Sequence, residues 1–363
     1  MRITFAVDSL QRGGSQGTLA DLTNLLSRRG HDVTILMPAA GQVDYDLRHP
    51  LVRIGRDRLE PHDYPLSDLI VSTHCSTVKS SQSAVECLGI PHIRYSLCYE
   101  PLELPGHPDQ YTSYQATSRL IVVSEWQRQL MHTLYGVEGI VVPSGIHPMF
   151  DNFHNRERLS RITVSAFARA QENVADAQNQ PYLLEQLGLL KQSHPELDVH
   201  LICMPNEYAA SPALQQLSSS GMFRVIVPSN DIELCYCYNQ AHIFVTPSSF
   251  EMVASAGMEA MKCGAALVAV HSGGNSDYCR HGVNGLISTF HENRLREHIV
   301  CLVNDPRLRK RLARQGEKDA REWTRERTAD LFEQAVRTLT AEAGLKPRKT
   351  GRILSFLSGR PFK

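Results

Sequence analysis

Two glutamates stand in one short stretch, Ser248-Ser249-Phe250-Glu251-Met252-Val253-Ala254-Ser255-Ala256-Gly257-Met258-Glu259-Ala260-Met261, with seven residues between Glu251 and Glu259. A β-rich run, His242-Ile243-Phe244-Val245, precedes them, and a helical run and a second β-rich run, Ala265 to Val270, follow. That order puts Glu251 on a loop at the carboxyl end of a strand and Glu259 in the first turns of a helix. In parallel α/β sheets, ligands settle in the crevice at that edge. Each carboxylate accepts several hydroxyl hydrogen bonds, so the pair suits a polyol such as a sugar or ribose.

Other strand ends carry complementary chemistry. After the first strand come Leu10-Gln11-Arg12-Gly13-Gly14-Ser15-Gln16-Gly17. Glycines opening a helix let a ligand approach the backbone, and the free N–H groups there favour anions. The spacing is not G-x-G-x-x-G, so dinucleotide binding is disfavoured. A phosphate or an acceptor sugar is the functional expectation, a tight turn the plain one. Arg169 follows the run ending Phe167-Ala168 and could neutralise a departing diphosphate; pairing with Glu172 or Asp176 is the competing role. In His271-Ser272-Gly273-Gly274-Asn275, the glycines could turn N–H groups into the crevice and Asn275 could meet a sugar hydroxyl, unless the segment is simply a turn. His74 and Glu100, on the N-terminal side, are candidates to orient acceptor or sugar, although a lone histidine after a strand is more often structural.

The elements that would position these residues are legible as alternation. Strand-like and helical runs alternate nearly to the end, which predicts parallel sheets covered on both faces. Expected strands in the first half are Ile3 to Val7, Val33 to Met37, Leu69 to Ser72, His92 to Tyr95 and Leu120 to Val123, with helices over Gly17 to Arg29, Thr77 to Leu88 and Glu125 to Tyr135. Ser144 to Leu159 lacks a sustained period and reads as a connector. Alternation resumes at Arg161 and gives way to charged helices from about Glu292 to Ala343. The 363 residues suffice for two domains, and 42% hydrophobic with 21% charged residues is ordinary for a globular chain. Lys plus Arg equals Asp plus Glu, which argues against a nucleic-acid partner. The nine cysteines are scattered without zinc-ligand spacing and read as reduced thiols.

Several of these segments resemble family 4 of the retaining GT-B glycosyltransferases. They are Asp231 to Tyr238, His242 to Ser248, Glu251-x7-Glu259-Ala260-Met261, Cys263-Gly264, Gly273-Gly274 and His281-Gly282-Val283-Asn284-Gly285-Leu286. Val122-Val123-Ser124-Glu125-Trp126 and Val142-Pro143-Ser144-Gly145-Ile146 look like markers at the end of that family's first domain. Arg94 to Leu102 looks like a segment of a rhamnan or O-antigen branch. The resemblance implies two Rossmann-like domains facing a crevice. Residues 1–150 would bind the acceptor, residues 151–340 the nucleotide-sugar, and residues 341–363 would form a basic tail. Glu251 would hold hydroxyls of the donor sugar and Glu259 the ribose. Ala254 and Ser255 would approach the diphosphate, Arg169 would match the arginine of a basic pair, and Gly13-Gly14 would line the crevice. No metal and no cofactor is expected, because cations and helix ends stabilise the leaving group.

The chain departs from that pattern in three places, one of them Cys98, which stands where related chains often carry a polar residue. Val174 stands where the pair's lysine is expected, and Met252-Val253-Ala254-Ser255 replaces the usual glycine-rich turn. Lys262, Arg280 and Arg224 are the candidate replacement cations. The expected activity is transfer of a hexose or deoxyhexose from a nucleotide-diphosphate sugar to a glycan or lipid-linked acceptor in surface-polysaccharide assembly. The alternative is a catalytically silent GT-B partner of an active transferase. A cytoplasmic location is expected. The tail, with Lys346, Arg348, Lys349, Arg352, Arg360 and Lys363 around Ile353-Leu354 and Phe356-Leu357, suits a peripheral contact with the inner face of a membrane.

Overall fold

The computed structural model describes residues 1–104, 106–117, 119–169 and 179–341. Val174, Glu172, Asp176 and the basic tail beyond residue 341 lie outside them.

Runs of Ile, Val, Leu and Phe form strands buried on both faces, as a parallel sheet requires. The first sheet contains β1 (Arg2–Ala6), β2 (Asp32–Met37), β3 (Leu51–Arg53), β4 (Leu69–Ser72), β5 (His92–Ser96), β6 (Leu120–Val122) and β7 (Gly139–Val141). Its order is β3-β2-β1-β4-β5-β6-β7, and every pairing is parallel. The second contains β8 (Thr163–Phe167), β9 (Asp198–Ile202), β10 (Arg224–Ile226), β11 (Ile243–Thr246), β12 (Ala266–Val270) and β13 (Gly285–Ser288). Its order is β10-β9-β8-β11-β12-β13, again all parallel. The chain thus builds the α/β fold of two Rossmann-like halves. The strand order reverses between β1 and β4 in one sheet and between β8 and β11 in the other. A ligand crevice opens at each such reversal.

Two strands were not anticipated. β3 is exposed along its whole length, so no buried pattern announces it. β13 opens on Gly285 and is short. A third difference concerns the domain division. The last helix, Arg325–Ala341, falls inside the span expected for the second domain. Its apolar face nevertheless joins the first core, where the Phe332 ring lies 5.8 Å from Phe5 and 5.7 Å from Tyr95. The chain therefore crosses between lobes twice, at neighbouring places. Ile146 N–H donates to the Trp323 carbonyl (2.8 Å), and the Thr328 hydroxyl to that of Pro143 (2.7 Å). Gly145 is needed at this crossing, since a Cβ would collide with the Thr324 carbonyl.

No helix among the described residues is long and apolar enough to cross a membrane, and none of the nine cysteines forms a disulfide.

Candidate active site

The four strands flanking the two reversals deliver four of the motifs. Gly13-Gly14 follows β1, His74 follows β4, Arg169 follows β8, and the Glu251 loop follows β11. Gly14 opens the helix Gly14–Arg28, and Ser255 opens the helix Ser255–Lys262. These two N-termini meet across the crevice: a Cβ on Gly14 would lie 3.2 Å from Ser255 Oγ. Both present unpaired N–H groups and the positive end of a helix dipole. The Gly13 turn is held by Tyr45, whose hydroxyl accepts from Gly13 N–H (2.9 Å) and donates to Gly13 O (2.8 Å).

Ala254 caps the Ser255 helix in the left-handed region, at φ 56°. That conformation crowds a Cβ and costs about 1–2 kcal/mol in any residue but glycine. The Tyr278 hydroxyl donates to the Ala254 carbonyl at 2.7 Å and helps to hold it there.

The two carboxylates occupy different settings. Glu251 is partly buried; its N–H donates to Ser272 O (2.9 Å) and its carbonyl accepts from Gly274 N–H (3.0 Å). Burial raises its pKa, opposed by a hydrogen bond from Ser248 and by the charge of Arg169. Glu259 accepts from the Tyr238 hydroxyl at 2.8 Å. Burial pushes its pKa up to about 7, opposed by Tyr238 and Arg325. Arg325 itself pairs with Asp21 of the first helix. No local sequence signal marks Tyr238, Tyr45 or Arg325 as site residues. Arg325 begins a charged helical run that reads as plain surface, and only the tertiary fold brings it to Glu259.

Arg169 is close enough to act on Glu251, yet its guanidinium already holds Glu207 at 2.6 Å and covers the Phe167 ring at 4.9 Å. His74 caps the helix Cys75–Leu88: its Nδ1 accepts from Ser76 N–H (3.3 Å). Burial lowers its pKa against the pull of Asp8 and Glu100, so the ring is held neutral. That is the structural role; it leaves only Nε2 for a ligand.

Three expectations need correction. Glu100, expected to orient acceptor or sugar, is fully buried and is held by Arg94 and by the Tyr114 hydroxyl. Removing that carboxylate from its buried cation is costly, so it serves the first lobe's interior. Asn275, expected at a sugar hydroxyl, is also fully buried; it accepts from Ser272 N–H (3.0 Å) and donates to Val270 O (2.7 Å). It ties the turn after β12. The Gly274 N–H, expected to face the crevice, is spent on the Glu251 carbonyl. The proposed replacement cations fare no better. Arg280 pairs with Asp319 (2.9 Å), buried Lys262 reaches the His147 carbonyl (3.5 Å), and Arg224 is exposed on edge strand β10.

Residues 171–319 match the family model of the group 1 glycosyl transferases. No sequence among the curated proteins matches the chain. Solved structures do. Sucrose-phosphate synthase from Thermosynechococcus elongatus superposes with TM-score 0.75 at 16% identity, covering 94% of this chain and 100% of that one. HepE of Anabaena, solved with UDP and glucose, superposes with TM-score 0.73 at 17% identity, with coverage of 94% and 100%. The α,α-trehalose 6-phosphate synthase from Burkholderia multivorans superposes with TM-score 0.69 at 10% identity, with coverage of 94% and 99%. The two-sheet architecture is that of the GT-B glycosyltransferases. With the group 1 domain in its second half, the chain is a glycosyltransferase.

Proposed function

We propose that the chain is a retaining glycosyltransferase of family 4. It would move a hexose or deoxyhexose from a nucleotide-diphosphate sugar to a glycan or lipid-linked acceptor in the assembly of a surface polysaccharide. The observation that carries this reading is the joint placement of Glu251, Glu259 and the Ser255 helix N-terminus at the β11 edge, against Gly14 of the other lobe. HepE, of like fold, is solved with UDP-glucose. That neighbour supports a sugar nucleotide as the donor here.

In this reading Glu259 accepts the ribose hydroxyls. The diphosphate lies between the helix N-termini at Ser255 and Gly14, and Glu251 accepts hydroxyls of the transferred sugar. Charge builds on the diphosphate as the sugar–oxygen bond breaks. Fixed N–H dipoles aimed at that charge need no reorganisation and contribute most where water is excluded. Arg169 adds a cation on the Glu251 side once it exchanges Glu207 for phosphate. The leaving phosphate oxygen takes the acceptor proton, so the chemistry requires no side-chain base, metal or cofactor. Closure of the lobes shields the donor from hydrolysis.

One observation favours the silent alternative: the Arg169 guanidinium is engaged by Glu207 at 2.6 Å, in a chain with Val174 in place of the expected lysine. Titration with a panel of nucleotide-sugars, while nucleotide release is followed, separates the readings. Binding with release above the buffer rate is the expected result. Binding without transfer to any acceptor assigns the silent role, and absence of both removes the donor site.

A further inference from the structure

We propose that Trp126 of the first lobe is a positioning residue for Glu251, seating the glutamate's loop when the lobes close. The proposal rests on Glu251 acting on the donor sugar.

The peptide of Glu251 is tied at both ends to the turn after β12, through Ser272 O and Gly274 N–H. In that turn Gly273 has φ 86°, and a Cβ on it would fall inside the Trp126 indole. The notch that receives the ring therefore exists only because residue 273 is glycine. The neighbours of Glu251 point the same way. Phe250 meets Trp126 edge-on at 6.3 Å and Tyr99 at 6.1 Å. Phe250, Met252 and Val253 all pack into the core of the first lobe, although they follow a strand of the second. The same turn continues to Asp277, whose carboxylate accepts from Glu125 N–H (2.8 Å). A carboxylate at the N-terminus of the helix Glu125–Tyr135 is a favourable cap.

One tryptophan thus touches the turn that holds the Glu251 backbone and the side chain that precedes it. Separation of the lobes withdraws the indole from the notch and Phe250 from its apolar seat, and nothing from the first lobe then fixes the loop. Closure and carboxylate placement become one event, which keeps a bound donor unreactive while the crevice is open.

The chain has two tryptophans, so Trp323→Phe leaves Trp126 as the only tryptophan, whose emission is read by exciting beyond the tyrosine absorption. In that background Gly273→Ala must expel the indole and shift its emission to longer wavelength. An unchanged spectrum overturns the seating. Kinetics with the sugar nucleotide turned over in the panel above test the consequence. Trp126→Ala should lower kcat on the order of 100-fold, with donor KM and melting temperature near the parent's. Trp126→Phe, which keeps an aromatic ring against Phe250, should recover part of the loss. An unchanged kcat in Trp126→Ala overturns the proposal, as does a loss that merely follows a fall in melting temperature. A parent chain that binds a sugar nucleotide without turnover would instead assign the silent role and defeat the reading on which the kinetic arm rests, and the fluorescence arm would still report whether the indole is seated.

Discussion

Along the carboxyl edge of each sheet, strand ends that look alike in sequence differ in what they leave accessible. In each sheet, residues after the strands at the reversal stay within reach of the crevice: Gly14 and His74 in the first lobe, Arg169 and Glu251 in the second. Two polar residues after the next strand outward are sealed, Glu100 after β5 and Asn275 after β12, both with no exposed surface, while His271 directly after β12 stays exposed. The difference is topological. Only at the reversal do the connections leave the strand ends on opposite faces and open a gap; one strand further out, Glu100 and Asn275 are covered and must find their partners inside. The lobes differ too. The second offers two carboxylates that burial has raised in pKa, whereas the first has committed its glutamate to Arg94.

The sealed side should show itself in stability. Glu100→Ala leaves the Arg94 guanidinium buried without its carboxylate and should cost about 3–5 kcal/mol of folding free energy in urea titration. Nucleotide affinity of the folded fraction should not change. A Glu100→Ala chain of normal stability that lost transfer would erase the distinction between the two edges.

The accessible side should show itself in rate. Glu251→Gln should lower kcat roughly 100- to 1,000-fold while donor binding changes little, because the contact strengthens as charge develops. Equal losses in kcat and affinity would place Glu251 in ground-state binding only. Arg169→Ala should follow with a loss of about tenfold or more; a wild-type rate would leave the diphosphate to the helix N-termini alone.

Glu259 sharpens the comparison through pH. Its folded-state pKa is about 7, above the ordinary carboxyl range, so the fold favours the protonated form. Stability from this group is fullest at low pH and declines as pH rises toward 7. Glu259→Gln should therefore raise the melting temperature at pH 8 and leave it nearly unchanged at pH 5. Nucleotide affinity of the parent should weaken as pH falls below 7, since the ribose hydroxyls donate to the ionised carboxylate. A pH-independent affinity would remove Glu259 from the ribose. The smallest effect is expected at Ala254: Ala254→Gly relieves the left-handed alanine and should add about 1 kcal/mol of stability. No gain would mean that its neighbours already offset the strain.

Most of the fold was readable because parallel strands buried on both faces announce themselves as apolar runs. Exposed β3 carried no such signal, and the last helix was assigned by sequence position when its apolar face belonged to Phe5 and Tyr95. What local sequence does encode is placement: Glu251 on the loop after β11, Glu259 inside the helix that follows, and Gly14 at the start of the first helix. The site was misread where burial decides the role, as with Glu100 and Asn275. The contacts of Arg325 and Trp126 join residues more than a hundred positions apart, at Asp21 and Gly273, and no local pattern encodes them.

A structure of the chain with a bound nucleoside diphosphate tests the central claim most directly. The ribose hydroxyls should lie within hydrogen-bonding distance of Glu259, with a phosphate on the N–H groups at Ser255 and facing Gly14. A nucleotide seated elsewhere, with Glu259 still turned to Tyr238 alone, would contradict it.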